Sequence, residues 1–410
     1  MNLRAYGFCA LALIGLTALP GSTATPAATA AKASLPRADK AQSFAAYIES
    51  LWPDAKQAGV SRETFDQAFA GVRLDQSVLD RTKKQAEFER SIRDYLASMV
   101  SSSQVDKGRA LAARWGGELA AIERRFGIDR NIVVALWGLE SGYGAGIGGK
   151  DVISSLASLA FIGFRDGLFR DELIFALVIL EQGHIGRAEM KGSWAGAMGQ
   201  AQFMPSSFMK YAIAFDGGTR KDIWTNTPDV LASIANFLKG NGWHAGLPWG
   251  FEVALPQGFD YAVPQASFAE WKRRGLSRAD GQAMPSSGEG LLFFPVGWRG
   301  PVLLITENFF VIKNYNTSDS YALSVGVLAD RIGGATGIRA PWPAAIDGLD
   351  HGQRLEAQRL LQKLGLYADK LDGRLGPALR EAVRRFQAKN GLVPDGFPTP
   401  EVLAKLRAAH

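Results

Sequence analysis

The sequence predicts a mainly α protein, α+β in detail: a helical core beginning near residue 43, a small β-containing subdomain, and a C-terminal three-helix module. Three observations carry this. Apolar residues recur at three- and four-residue spacing over much of the chain, as at Phe65, Phe69 and Val72, which is the helical period. Between about Trp249 and Phe310 that period gives way to glycine, proline and short apolar runs, Leu291-Leu292-Phe293-Phe294 and Val302-Leu303-Leu304-Ile305, which suit short strands. Helical spacing returns at about Ser320 to Ile332, and a strong break follows at Gly333-Gly334-Ala335-Thr336-Gly337 with Pro341 and Pro343.

The chain opens with Arg4, an apolar stretch from about Phe8 to Leu19, then Pro20, Gly21 and small residues. This is the layout of a Sec signal peptide, and the stretch is too short for a comfortable membrane span. Ser22-Thr23-Ala24, Thr29-Ala30-Ala31 and Ala31-Lys32-Ala33 all fit a small-x-small cleavage site. Residues 1–33 therefore read as signal peptide and flexible lead-in. The one cysteine, Cys9, lies inside the signal. It sits too early for a lipoprotein acceptor, and the mature chain is expected to have no disulfide. The expectation is a periplasmic protein, not a lipoprotein, with no stable membrane insertion once the signal is removed.

Hydrophobic residues make up 47% of the 410, enough for sizeable cores, and charged residues 21%. The net charge of +6 favours an anionic partner without naming one. No basic run of five or more occurs, so nucleic acid is not an expected partner. The four histidines, His184, His244, His351 and His410, share no metal-ligand spacing, and no G-x-S-x-G elbow is present. No metal and no cofactor are expected.

Chemistry points first to Glu140. Asp129 suits an N-cap before the apolar run Ile132 to Leu139. Glu140 follows Leu136 by four residues and Ile132 by eight, which puts it on the same stripe. A carboxyl there is costly to ionise, so its pKa is expected to rise, as a general acid requires. Gly142, Gly144, Gly146, Gly148 and Gly149 follow, ending the helix and leaving room for a large substrate. The alternative, a helix-end carboxylate turned to solvent, is equally compatible with the spacing. The same glycines satisfy G-x-G-x-x-G, and Gly144 to Lys150 satisfies G-x-x-x-x-G-K. A nucleotide site would need Ile132–Leu139 as a strand, and Asp151 stands where a phosphate loop needs Ser or Thr.

A second constellation runs from Gly192 to Ser207, rich in Gly, Ala and Ser around Trp194, Phe203, Met198 and Met204. Small residues let a backbone approach a bulky ligand, and Ser193 and Gln202 offer groups suited to sugar hydroxyls and N-acetyl groups. Aromatic faces suit the apolar faces of sugar rings. A tight structural loop with core aromatics fits the residues as well. A third constellation is Ile312 to Ser318, leading into Tyr321, in which Tyr315 and Asn316 stand out and Ser318 or Asp319 suits a helix cap.

Together these segments resemble the lytic murein transglycosylase B family, glycoside hydrolase family 103. The matching pieces are Val134 to Gly144, Ser193 to Ser207, Ala235-Asn236-Phe237-Leu238 with Asn241-Gly242-Trp243, and Tyr315-Asn316-Thr317-Ser318 with Tyr321-Ala322. The resemblance covers roughly residues 43 to 335. It implies a lysozyme-like helical core that cleaves the bond between N-acetylmuramic acid and N-acetylglucosamine. It implies that one glutamate, Glu140 by position, protonates the glycosidic oxygen and then acts as base on the muramyl C6 hydroxyl, giving a 1,6-anhydro product. Ser193, Gln202, Phe203, Tyr315 and Asn316 fall where the family lines its sugar cleft. A two-carboxylate glycosidase needs a second acid; here the substrate's N-acetyl group would take that part. Some relatives carry a calcium loop of the EF-hand type. The corresponding stretch here, Asp216 to Asp222, holds Arg220 and Lys221 and lacks the alternating acidic ligands.

The C-terminal segment resembles a three-helix peptidoglycan-binding domain, through Leu361-Gln362, Gly365-Leu366-Tyr367, Asp372-Gly373, Ala382 to Gln387, Asn390-Gly391-Leu392 and Asp395-Gly396. The expected organisation is a catalytic domain over 43–335, a linker over 336–350 and a wall-binding domain over 351–410. Tethering of this kind raises effective substrate concentration. The expected partner is peptidoglycan glycan, with cell-wall synthesis or envelope-machine proteins open. Two rival functions stay in view: a hydrolytic muramidase using Asp151, Asp166 or Asp171 as second carboxylate, and a non-catalytic wall-binding scaffold.

Overall fold

The computed structural model describes residues 37–84, 91–165, 167–345 and 348–409. The signal peptide, Cys9 and Asp166 lie outside the described residues. Within these, the chain divides into two compact units.

The first unit comprises residues 37–84, 115–122 and 136–240. Its hub is the Leu168–Glu181 helix, which packs against the Val152–Phe161, Pro205–Tyr211, Arg62–Phe69 and Trp52–Gln57 helices. The hub buries Phe169, Leu173, Ala176, Leu177 and Ile179, as a helix covered on most faces must. A short antiparallel ribbon joins β1 (Lys150–Asp151) to β2 (Lys191–Gly192), with Lys150 opposite Gly192. Asp151 caps the Val152–Phe161 helix by accepting from the Ser154 N–H, and it also accepts two bonds from Arg187, at 2.6 and 3.1 Å. Lys150 pairs with Asp75 at 3.0 Å. The residues that imitate a phosphate loop are thus held by protein partners, and Ile132–Leu139 is helix rather than strand.

In the stretch Asp216 to Asp222 the carboxylates serve the backbone: Asp216 accepts from the Gly218 N–H, and Asp222 from the N–H groups of Trp224 and Thr225.

The second unit comprises residues 91–114, 123–135 and 241–409 apart from 346–347. The Asp319–Ile332 helix is its hub, packed by the Ile92–Met99, Ser102–Arg114 and Glu307–Tyr315 helices. A five-stranded antiparallel sheet is built from β3 (Gly250–Ala254), β4 (Gln265–Ser267), β5 (Ser277–Arg278), β6 (Glu289–Phe293) and β7 (Leu303–Ile305), in the order β4-β6-β7-β3-β5. The two apolar runs expected as strands fall on β6 and β7. Phe268 and Trp271, both fully buried, fill the face of the sheet, and the Trp271 indole donates to the Gly290 carbonyl at 2.8 Å.

The three C-terminal helices, His351–Lys363, Pro377–Lys389 and Pro400–Ala408, share a core of their own that includes Leu361, Leu379, Val383, Phe386 and Leu406. Its two Asp-Gly turns are held by one device used twice. Buried Gln358 donates to Asp372 at 3.0 Å and accepts from the Gly373 N–H at 2.8 Å. Buried Gln387 does the same with Asp395 and Gly396, at 2.7 and 2.8 Å. The segment expected as a linker is pinned. The Arg339 and Ala340 N–H groups each donate to the Glu252 carboxylate at 2.7 Å, and the Arg339 guanidinium reaches the Ala279 carbonyl at 3.1 Å. No helix among the described residues is long and apolar enough to cross a membrane.

Asp330, part-buried near the end of the hub helix, accepts from the Trp249 indole at 3.2 Å. Burial pushes its carboxyl up to about 7; the Trp249 N–H and Arg278 oppose this, and Asp129 and Asp280 add to it. A carboxyl whose pKa is raised by folding stabilises the fold below its unfolded value and loses that contribution as pH rises through its folded value. The melting temperature is therefore expected to fall between about pH 4 and pH 7, and Asp330→Asn to flatten that slope. An identical pH slope in wild type and variant would contradict this.

Candidate active site

Glu140 is the penultimate residue of the Arg130–Ser141 helix. Residues 132–138 are all buried, and Glu140 itself is half-buried. The turn after it folds back on the helix. Gly142 and Tyr143 donate backbone N–H groups to the carbonyls of Gly138 and Trp137, at 2.9 and 3.2 Å. The Ser141 hydroxyl accepts from the Gly144 N–H at 2.9 Å. Tyr143 takes a positive φ of 61°, which is costly for a bulky residue and is held by the packing. Its ring meets Trp137 edge-on at 5.6 Å and lies over Gly138, where a β-carbon would come within 2.6 Å of it. The carboxylate is thus mounted on a helix end with little freedom to fray.

The Gly192–Ser207 segment belongs to the same unit. Gln200 is its keystone. Its side-chain oxygen accepts from the Trp137 indole at 2.9 Å, its side-chain nitrogen donates to the Trp224 carbonyl at 2.9 Å, and its backbone N–H donates to the Ile223 carbonyl at 2.8 Å. The Glu140 helix, the 192–207 loop and the 222–225 turn are thereby joined through one buried amide. The Ser193 hydroxyl accepts from the Ala195 and Ala197 N–H groups, at 3.3 and 3.0 Å, and the residue stays half-exposed.

Of the two readings the sequence left open for this segment, its geometry is that of a tight loop with core aromatics. The small residues mainly let the protein approach itself: a β-carbon on Gly148 would lie 2.2 Å from the Gly192 carbonyl oxygen, and one on Gly192 would lie 2.1 Å from that of Ala197. Phe203 does not present a ring to solvent; it is 2% exposed and packs on Phe237 at 5.8 Å. Gln202, at φ 48°, commits its side-chain nitrogen to the carbonyls of Ile147 and Gly199, at 3.0 and 2.8 Å.

Tyr315 and Asn316 belong to the second unit. Tyr315 ends the Glu307–Tyr315 helix and is 4% exposed. Asn316 is extended, and its side-chain oxygen accepts from the Ser318 N–H at 3.2 Å. Ser318 in turn caps the Asp319–Ile332 helix by accepting from the Tyr321 N–H.

Sequence reasoning missed Gln200 and Glu172. Glu172 lies on the hub helix of the first unit, 3% exposed, and accepts from the Ser206 N–H at 2.9 Å and the Ser206 hydroxyl at 2.6 Å. It thus satisfies the start of the Pro205–Tyr211 helix and anchors the loop's far end. Burial raises its pKa, against the two Ser206 bonds. Its place immediately before the apolar run Leu173 to Leu180 was the available signal. Of the other acids weighed as partners for Glu140, Asp151 is committed to its cap and Arg187, and Asp171 is exposed.

Comparison with known proteins now decides the family. Residues 43–330 match the family described as "Transglycosylase SLT domain", and residues 350–406 match "Putative peptidoglycan binding domain". The chain belongs to the SLT family of lytic transglycosylases. It is 28% identical over 254 residues to membrane-bound lytic murein transglycosylase B of Escherichia coli strain K12; the match spans 58% of this chain and 66%, just under two thirds, of that protein. SltB3 from Pseudomonas aeruginosa, solved in complex with NAG-anhNAM-pentapeptide, is 41% identical with a TM-score of 0.83, over 89% of this chain and 100% of that one. SltB1 from the same organism is 30% identical with a TM-score of 0.60, over 70% of this chain and 97% of that one. The lysozyme-like helical class expected from sequence agrees with these neighbours.

The Glu172 contact can be tested by stability. Glu172→Ala leaves a buried backbone donor without its acceptor, an expected loss of about 1–3 kcal/mol in urea unfolding. Glu172→Gln keeps an acceptor oxygen and should lose less. Equal losses for the two variants would remove Glu172 from this role.

Proposed function

We propose that the protein cleaves the β-1,4 bond between N-acetylmuramic acid and N-acetylglucosamine in peptidoglycan, leaving 1,6-anhydro-muramyl ends, with Glu140 as its acid and then its base. The observation that carries this reading is the setting of Glu140: a half-buried carboxyl at the locked end of an otherwise apolar helix, in a chain of the SLT family.

In the first step the Glu140 carboxyl gives its proton to the glycosidic oxygen, and the bond from that oxygen to muramyl C1 breaks. The substrate's N-acetyl group stabilises the cation left at C1. In the second step the Glu140 carboxylate takes the C6 hydroxyl proton, and O6 bonds to C1. The acid is regenerated and no water is consumed. One carboxyl acting twice differs from the two-carboxylate glycosidase scheme. Support comes from Asp151, one of the acids weighed as a second carboxylate, which is engaged by Arg187 and by its helix cap. Ser193 and the oxygen of Gln202 are assigned to sugar polar groups in the first unit; Tyr315 and Asn316 are proposed separately as glycan contacts of the second. Phe203 is assigned to packing behind the loop.

The C-terminal module holds the polymer, and the protein works in the periplasm after export. The relative SltB3, solved with NAG-NAM-pentapeptide as well as with the anhydro compound, supports a peptidoglycan substrate.

The test is digestion of purified sacculi by the full mature chain, with mass spectrometry of the soluble muropeptides. The expected products are one water lighter than those of a muramidase, and Glu140→Gln should lower their release by at least about a hundredfold. Full-mass reducing ends would make the protein a hydrolase. No products, with sacculus binding kept, would favour a scaffold.

A further inference from the structure

The C-terminal module contains one motif twice, and one of the copies grips the chain's own backbone. Gln358 and Gln387 are the equivalent glutamines, and Asp372-Gly373 and Asp395-Gly396 the equivalent turns. The likeness extends beyond the bonds already described. The inner carboxylate oxygen of each aspartate accepts from the N–H two residues on, that of Arg374 at 3.0 Å and that of Phe397 at 2.8 Å. Both turn glycines have positive φ, 64° and 71°. A β-carbon on Gly373 would lie 2.8 Å from the His351 carbonyl oxygen, and one on Gly396 would lie 2.7 Å from that of Arg380. His351 and Arg380 each stand seven residues before their glutamine. His351, Gly352 and Leu355 of the first copy therefore occupy the places of Arg380, Glu381 and Arg384 in the second.

The second copy holds a length of main chain. The outer oxygen of Asp395 accepts from the Trp298 N–H at 2.8 Å, and the Arg380 guanidinium donates to the Phe294 carbonyl at 3.2 Å. Gly297 lies close against the turn, where a β-carbon would come 3.2 Å from the Asp395 oxygen. What is gripped is one N–H and one C=O. The first copy presents the same surface partly to solvent. The outer oxygen of Asp372 accepts no hydrogen bond among the described residues. Gly352 is exposed, with no side chain where Glu381 has one, and His351, Leu355 and Asp372 are part-exposed. The His351 ring turns to the Asp372 carbonyl at 3.1 Å, so it does not repeat the outward grip of Arg380. Arg374, in the place of the buried Phe397, supplies a cation instead, and its guanidinium has no partner among the described residues.

We propose that the first copy is a binding site for the stem peptide of peptidoglycan, held by its main chain as the second copy holds residues 294–298. The outer oxygen of Asp372 accepts a stem amide N–H, in the place of the Trp298 N–H. Gly352 lets the peptide lie close to the helix, Leu355 meets a short alanyl side chain, and Arg374 pairs with a stem carboxylate. A peptide fits this surface better than a sugar does. The second copy shows the motif taking hold of an amide backbone, and a stem also carries carboxylates for Arg374. The proposal rests on the reading that the module holds peptidoglycan.

The probe is the free stem pentapeptide, which has no glycosidic bond to be cleaved. It is added to the full mature chain and followed by amide chemical shifts in nuclear magnetic resonance. Saturable shifts are expected at residues 352–355 and 372–374, and none at 395–397. Asp372→Asn keeps the inner oxygen for Gln358 and Arg374 and turns an amide donor outward, so Kd should rise by about tenfold or more. Gly352→Trp fills the face from an exposed helix position and should do the same. Arg407→Gln, which breaks an exposed ion pair with Glu356 inside the module, should leave Kd unchanged. Cosedimentation in the cold then compares intact sacculi with sacculi stripped of their stems by an amidase. Asp372→Asn and Gly352→Trp should weaken binding to the first and not to the second. The proposal is overturned by no saturable binding of the pentapeptide to wild type, by an unchanged Kd in either folded variant, or by equal weakening on stripped sacculi. If Asp372→Asn does not fold, Gly352→Trp decides by the same criteria. Failure of the wall-binding reading is distinct: wild type then sediments with neither kind of sacculus.

Discussion

The site depends on one buried amide. Gln200 satisfies the Trp137 indole, the Trp224 carbonyl and the Ile223 carbonyl, and so fixes the helix that carries Glu140 against the loop that carries Ser193 and Gln202. A buried polar group of this kind costs little while every bond is made and a great deal when one is lost. It also explains Gly144: a β-carbon there would lie 2.4 Å from the Gln200 side-chain oxygen. The glycine-rich run after Glu140 is therefore a packing requirement of the keystone as much as a way to end a helix.

The helical core, the position of the strands and the three-helix module were legible because each rests on a local period. The placement of Glu140 at the end of an apolar helix was legible from helical spacing alone, and it ends half-buried there. What lay beyond reach was direction. Nothing in Gly192 to Ser207 says whether small residues make room for a ligand or for the chain itself, and most of the space is taken by carbonyls of Gly192, Ala197 and Ile223. Phe203 and Trp194 look alike in sequence, yet Phe203 is sealed against Phe237 while Trp194 stays half-buried. The role of Glu172 depends on a partner 34 residues away, which no spacing rule reaches.

The wall-binding module illustrates the same limit. Its two Asp-Gly turns are visible in sequence, and the buried glutamines that hold them are not obvious until Gln358 and Gln387 are seen to make the same pair of bonds. Proline and glycine between 333 and 343 marked a break in regular structure, and 336–350 read as a linker. Extended backbone with unpaired N–H groups is instead what a neighbouring carboxylate can bind, and Glu252 does so. Composition reports the absence of regular structure and says little about how tightly a segment is held.

The proposed chemistry turns on which nucleophile reaches muramyl C1, the substrate's own C6 hydroxyl or water. Digestion in water enriched in oxygen-18, followed by mass spectrometry of the new glycan ends, answers this directly. Intramolecular capture assisted by Glu140 predicts anhydro ends carrying no heavy oxygen. One oxygen-18 atom at each new reducing end would contradict it, and would require a water-positioning carboxylate that this account does not contain.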